Sequence, residues 1–139
     1  MNIFLDCEFN EFKGELISMA LVADDGEEFY EVLDCPNPGD WVKVNVLPIL
    51  NKPPVPMDVF QYKLQAFLGR YTSVHVIADW PEDIKHFCEA LITGPGMCLN
   101  TPHLNMTIMR FDSVSELPHN ALADARGIMD AYYEIKYEV

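Results

Sequence analysis

Asp6, Glu8, Asp83, His119 and Asp124 are of types that bind hard cations and move protons. Asp6 and Glu8 stand two apart at the end of an apolar run, NIFLD. If that run is a strand, its period of two turns both carboxylates to one side, where they repel unless a cation lies between them. An acidic strand end is common by chance, so this pair alone decides nothing. Asp83 follows the apolar run SVHVIA and opens a helical stretch, where an acid also serves as a first-turn capping charge. Asp79, at the end of the same run, is the competing acid. His119 and Asp124 lie in HNALAD, and at a helix start this spacing brings their side chains together. Asp124 sits among Ala121, Leu122, Ala123 and Ala125, an unusual setting for an acid that is merely solvated.

The elements that must position these residues follow from periodicity. Residues 2–6, 15–23 and 27–33 read as strands, the last two joined by the turn signal Asp24-Asp25-Gly26. An antiparallel three-stranded opening is expected. Residues 34–56, rich in Pro, Gly and Asn, read as irregular with a short helix at 40–47, anchored by Trp41. Val59, Phe60, Leu64, Phe67 and Leu68 mark one face of a helix over 57–70. Residues 73–78 are a strand, 82–92 a helix with Pro81 at its start, 93–103 a loop, 105–110 a last strand and 119–136 a final helix. Met19, Met106 and Met109 fall in strands and read as core. The order β-β-β-α-β-α-β-α predicts an α/β fold: a mixed five-stranded sheet flanked by helices.

The 139 residues fit one domain, 1–139, with half of them hydrophobic. No apolar run approaches the roughly 20 residues a membrane-spanning helix needs. The opening MNIFLDCEF carries no basic leader, so a cytoplasmic location is expected. Cys7, Cys35, Cys88 and Cys98 form no CxxC pair or zinc spacing and read as free thiols. The formal net charge of −13 argues against a protein that grips nucleic acid by electrostatics alone, and composition does not choose between a merely soluble acidic surface and carboxylates clustered for cations. Clustered carboxylates holding divalent cations would supply the missing charge.

The segments FLDCEF, ADWPEDIKHF and HNALADA, in this order and spacing, resemble the motifs of the DEDDh 3′→5′ exonucleases, which have an RNase H-like fold. FLDCEF looks like their D-x-E and HNALADA like their H-x4-D. DCEF, LISMALVADDGEEFYEV and WVKVNVLP further resemble small bacterial RNase AS-like exoribonucleases. In the middle motif, Glu82 stands where the family carries an aromatic before its Asp, and Asp79-Trp80-Pro81 fills the loop.

The resemblance implies a two-metal phosphodiester hydrolase using Mg²⁺ or Mn²⁺, with ions about 3.5–4 Å apart. It implies that Asp6 bridges the ions, Glu8 and Asp124 complete the first, Asp83 serves the second, and His119 is the general base. The implied substrate is single-stranded nucleic acid with a free 3′ end, RNA favoured over DNA, and the products are nucleoside 5′-monophosphates. Such relatives are often homodimers. Phe9 and Trp80 are candidate substrate contacts, and Arg126 and Lys85 candidate phosphate contacts. The rival readings are a non-catalytic RNase H-like binding module and a metal-dependent endonuclease.

Overall fold

A computed structural model describes residues 1–137. Three strands open the chain, β1 (Asn2–Phe9), β2 (Leu16–Ala23) and β3 (Glu28–Val32). Helix α1 (Asp40–Asn45), a 3-10 turn at Leu47–Ile49 and helix α2 (Met57–Leu68) follow. Then come β4 (Ser73–Ala78), α3 (Pro81–Leu91), a small hairpin of β5 (Ile92–Gly94) and β6 (Met97–Cys98), β7 (His103–Ile108) and α4 (Ala121–Tyr137). The main sheet has five strands in the order β3-β2-β1-β4-β7, antiparallel across β1, β2 and β3 and parallel across β1, β4 and β7. This mixed sheet with four helices around it is the expected α/β fold, consistent with an RNase H-like arrangement.

The two faces of β1 feed different cores, as its alternation requires. Ile3, Leu5 and Cys7 join Met19, Leu21, Phe29, Val74 and Val76 beneath α2 and α3, which supply Phe60, Leu64, Phe67 and Phe87. Phe29 meets Phe60 edge-to-face at 5.5 Å. On the opposite face α4 packs Ala121 and Ala125 against Ala20 and Val22, and Ile128 against Phe4 and Ile77. Alanine on both sides lets the start of α4 approach β1 and β2 closely. That closeness brings an acid of α4 over the acids of β1.

The differences from the sequence expectations are local. β1 runs on to Phe9, so Asp6 and Glu8 lie within the strand, and its pairing with β2 slips between Glu8 and Phe9. β7 starts at His103 rather than 105, because pairing to β4 extends it. The loop expected at 93–103 contains the β5–β6 hairpin, whose strands are too short to show a period. Helix α4 begins at Ala121 rather than 119: His119 has φ 73°, outside the helical region, and Asn120 caps the helix by accepting the Ala123 N–H at 3.0 Å. Cys7, Cys35, Cys88 and Cys98 are all free thiols. Among the described residues no helix is long and apolar enough to cross a membrane.

Candidate active site

Strand β1 pairs with β4 only through Asn2–Phe4, so Asp6, Cys7 and Glu8 run past the carboxyl end of β4. A crevice beyond the carboxyl ends of parallel strands is where open α/β sheets bind ligands. Here the β4–α3 corner enters from one side of the sheet and the start of α4 from the other. The slip in pairing after Glu8 is a bulge-type irregularity, which re-aims side chains at a strand end.

Carboxylates from all three places converge. Ligand oxygens of Asp6, Glu8 and Asp124 lie within 4.8 Å of one another, and so do those of Asp6, Asp79 and Asp83. Asp6 belongs to both groups. The competition between Asp79 and Asp83 for the middle position therefore ends with both acids present. A cavity of about 270 Å³ is lined by Asp6, Glu8, Phe9, Trp41, Asp79, Trp80 and Asp83 among others. An adjoining one of about 250 Å³ is lined by Asp6, Asp79, Ser113, Ser115, His119 and Asp124 with two apolar neighbours.

The electrostatics are those of a cation site. Burial, then Asp83, Glu8, Asp124 and Asp79, push the Asp6 carboxyl well above its ordinary range. Burial and then the Asp124 charge raise Glu8 to about 9. Burial and then Asp79 raise Asp83 to about 8, although the Cys7 N–H donates to its Oδ1 at 3.3 Å. Asp79 is raised chiefly by burial, with Arg110 pulling the other way. Asp6 Oδ2 and Asp83 Oδ2 are buried without a hydrogen-bond partner. A buried carboxylate oxygen left unpaired is costly, and a divalent cation relieves both that cost and the mutual repulsion. An all-oxygen donor set suits Mg²⁺ or Mn²⁺ and gives a soft metal no thiolate.

His119 belongs to neither carboxylate group, but it lines the cavity with Asp6, Asp79 and Asp124. Its backbone N–H donates to Asp124 Oδ2 at 3.1 Å, so the link between the two residues of HNALAD runs through the main chain of His119. Its ring meets Trp41 edge-to-face, centroids 4.9 Å apart. Trp41 is thus at the site rather than an anchor: it is 49% exposed, and Val42 and Val46 hold α1 against Ile17 instead. Asn120 fastens this corner by donating to the Ile49 carbonyl at 2.9 Å.

Phe9 and Trp80, the candidate substrate contacts, both line the cavity. Phe9 also stacks on the buried His86, centroids 4.9 Å apart, so part of its ring is committed to packing. Trp80 is 44% exposed, with the Arg110 guanidinium 4.9 Å from its ring centroid. Arg126 and Lys85 are elsewhere: Arg126 pairs with Glu28 at 2.6 Å and Lys85 with Glu89 at 3.9 Å, and neither lines these cavities. The sequence reading missed Trp41, Arg110, Asn120, Ser113 and Ser115. Of these only Asn120 carried a signal, an N-cap residue directly before an Ala/Leu run.

Gly127 fixes the segment that bears the two serines. A Cβ there would stand 2.5 Å from the Val114 carbonyl oxygen, so only glycine lets residues 114–115 lie directly on α4.

No family model matches the chain. Over 58 residues it is 45% identical to two Mycobacterium tuberculosis proteins, 3′-5′ exoribonuclease Rv2179c and 3′-5′ exoribonuclease MT2234.1. The match covers 38% of this chain and spans only 34% of the length of those relatives. The chain is therefore similar over part of its length to proteins named as 3′-5′ exoribonucleases.

Proposed function

We propose that this chain is a metal-dependent 3′→5′ exonuclease of the DEDDh type, one domain over 1–139. It hydrolyses single-stranded nucleic acid, RNA in preference to DNA, to nucleoside 5′-monophosphates. The observation that carries the reading is the pair of carboxylate groups that share Asp6, in a crevice that His119 also lines. The partial likeness to exoribonucleases supports the same chemistry.

Asp6, Glu8 and Asp124 would hold one cation, and Asp6 with Asp83 the other. Bound there, two divalent ions lower the pKa of the attacking water and neutralise charge on the phosphate. The protein's own groups do the rest. His119 takes a proton from the water as its oxygen attacks phosphorus, a general-base role that imidazole side chains commonly fill. The bond to the 3′ oxygen breaks, and that oxygen leaves as a hydroxyl after protonation from solvent. Phe9 and Trp80 offer ring faces to the terminal nucleotide, and stacking of this kind is worth about 1–3 kcal/mol per base. The short supply of basic residues leaves the backbone phosphates to the ions and Arg110.

The test is digestion of matched 3′-labelled and 5′-labelled RNA and DNA oligomers with Mn²⁺ or Mg²⁺, alongside a circular single strand. Wild-type protein should release labelled mononucleotide first from the 3′ end of RNA, spare the circle and lose all activity in Asp124→Asn. Cleavage of the circle would make it an endonuclease, and no cleavage of any substrate would refute the reading.

A further inference from the structure

We propose that Asp79 is a ligand of the second cation together with Asp83, so that five carboxylates rather than four hold the two ions. The inference rests on the metal-dependent reading above.

Geometry argues first. Asp79 directly follows β4, and Asp83 lies in the first turn of α3, with Trp80 and Pro81 making the corner. The corner turns both side chains into one space, where their oxygens lie within 4.8 Å of each other and of Asp6. Asp6 and Asp79 are the two residues that line both cavities of the crevice, so Asp79 stands at the junction between them.

A second observation concerns hydrogen bonding. Asp83 is 2% exposed and Asp6 9% exposed, and each keeps one buried Oδ2 with no hydrogen-bond partner. Those oxygens need a donor or a cation. Asp79, the third member of their group, also has no ion-pair partner among the described residues. Arg110, the nearest cationic candidate, is stacked on Trp80.

Ligand count agrees. With Asp79 each cation would have three carboxylates within reach, counting Asp6 in both groups. Without it the second would have two. Two divalent ions would neutralise four of the five carboxylate charges. The departure of ADWPED from the usual middle motif is then functional, because the strand-end position itself supplies an acid.

The experiment is calorimetric titration of Mn²⁺ alone into wild type, Asp79→Asn, Asp83→Asn and Asp124→Asn. Thermal melts in EDTA verify that each variant is folded, and Asp79→Ser stands in if Asp79→Asn is not. Asp79→Asn and Asp83→Asn should weaken the same binding event by at least the roughly 10–100-fold that even an outer-shell partner commands. Asp124→Asn should weaken the other event, and Asp79→Glu should retain both. Wild-type Mn²⁺ binding by Asp79→Asn would overturn the proposal, as would a loss confined to the event that Asp124 governs. If the wild type binds Mn²⁺ in this pattern but releases no nucleotide from RNA or DNA, the nuclease reading falls while the assignment of Asp79 stands.

Discussion

Replacing Asp6 by Asn should have opposite effects on the metal-free and the metal-bound protein. Asp6 is the acid common to both carboxylate groups, with oxygens no more than 4.8 Å from its partners. Two full charges at that distance repel by about 3.5 kcal/mol at an effective dielectric constant near 20. Proton uptake caps the cost, because burial and mutual repulsion raise Glu8 to about 9 and Asp83 to about 8. Carboxyls whose folded pKa is raised contribute stability that is complete at acid pH and lost as pH climbs through the folded values. The metal-free protein should therefore weaken between about pH 5 and pH 9. Asp6→Asn removes one charge from each group and adds an amide that can donate to the neighbouring carboxylates. At about pH 8 it should stabilise the metal-free protein by about 1–3 kcal/mol. For a domain of this size that is a Tm higher by roughly 3–9 °C. Saturating Mn²⁺ should reverse the order, since an ion at 100 times its Kd stabilises the wild type by about 2.7 kcal/mol and the variant far less. Melts in EDTA and in Mn²⁺ at about pH 5 and pH 8 read all four terms. A variant less stable than wild type in EDTA at the higher pH, or one that gains as much from Mn²⁺, would refute the reasoning.

Other outcomes follow from the same geometry. His119→Ala should lower kcat by about 10²–10⁴-fold with Mn²⁺ affinity nearly unchanged, and a loss of metal binding equal to that of Asp6→Asn would contradict the base role. Trp41→Ala removes the ring that packs on His119, so kcat should fall by up to roughly 10²-fold through misplacement of the imidazole, with Trp41→Phe largely restoring it. A loss confined to KM would instead mark Trp41 as a base-stacking surface only. Gly127→Ala pushes a methyl into the Val114 carbonyl and should cost about 1–3 kcal/mol in chemical denaturation, with reduced turnover because the segment bearing Ser113 and Ser115 must move. Equal stability and turnover would show that this segment yields without consequence.

Much of the site was legible from local sequence, for reasons that can be named. Asp6 and Glu8 had to share a face because a strand alternates, and the Ala-rich setting of Asp124 marked it as an acid that is not merely solvated. The strand order β-β-β and the later alternation with helices foretold the mixed sheet. The boundaries that failed, at His103, Ile92–Cys98 and Ala121, were those where pairing partners or a side-chain cap, rather than the apolar pattern, decide where an element begins or ends.

The amino-acid order thus determined which groups were available for chemistry and which element carried each. The tertiary structure alone decided that Asp79 and Asp83 both enter the cluster, that Trp41 meets His119 from far along the chain rather than anchoring its own segment, and that Arg126 is spent on Glu28. The physical reason is that periodicity along one element fixes a side chain's direction only relative to that element. Distances between elements are set by the packing of buried faces, here small alanines against β1 and β2, and the sequence pattern does not contain them.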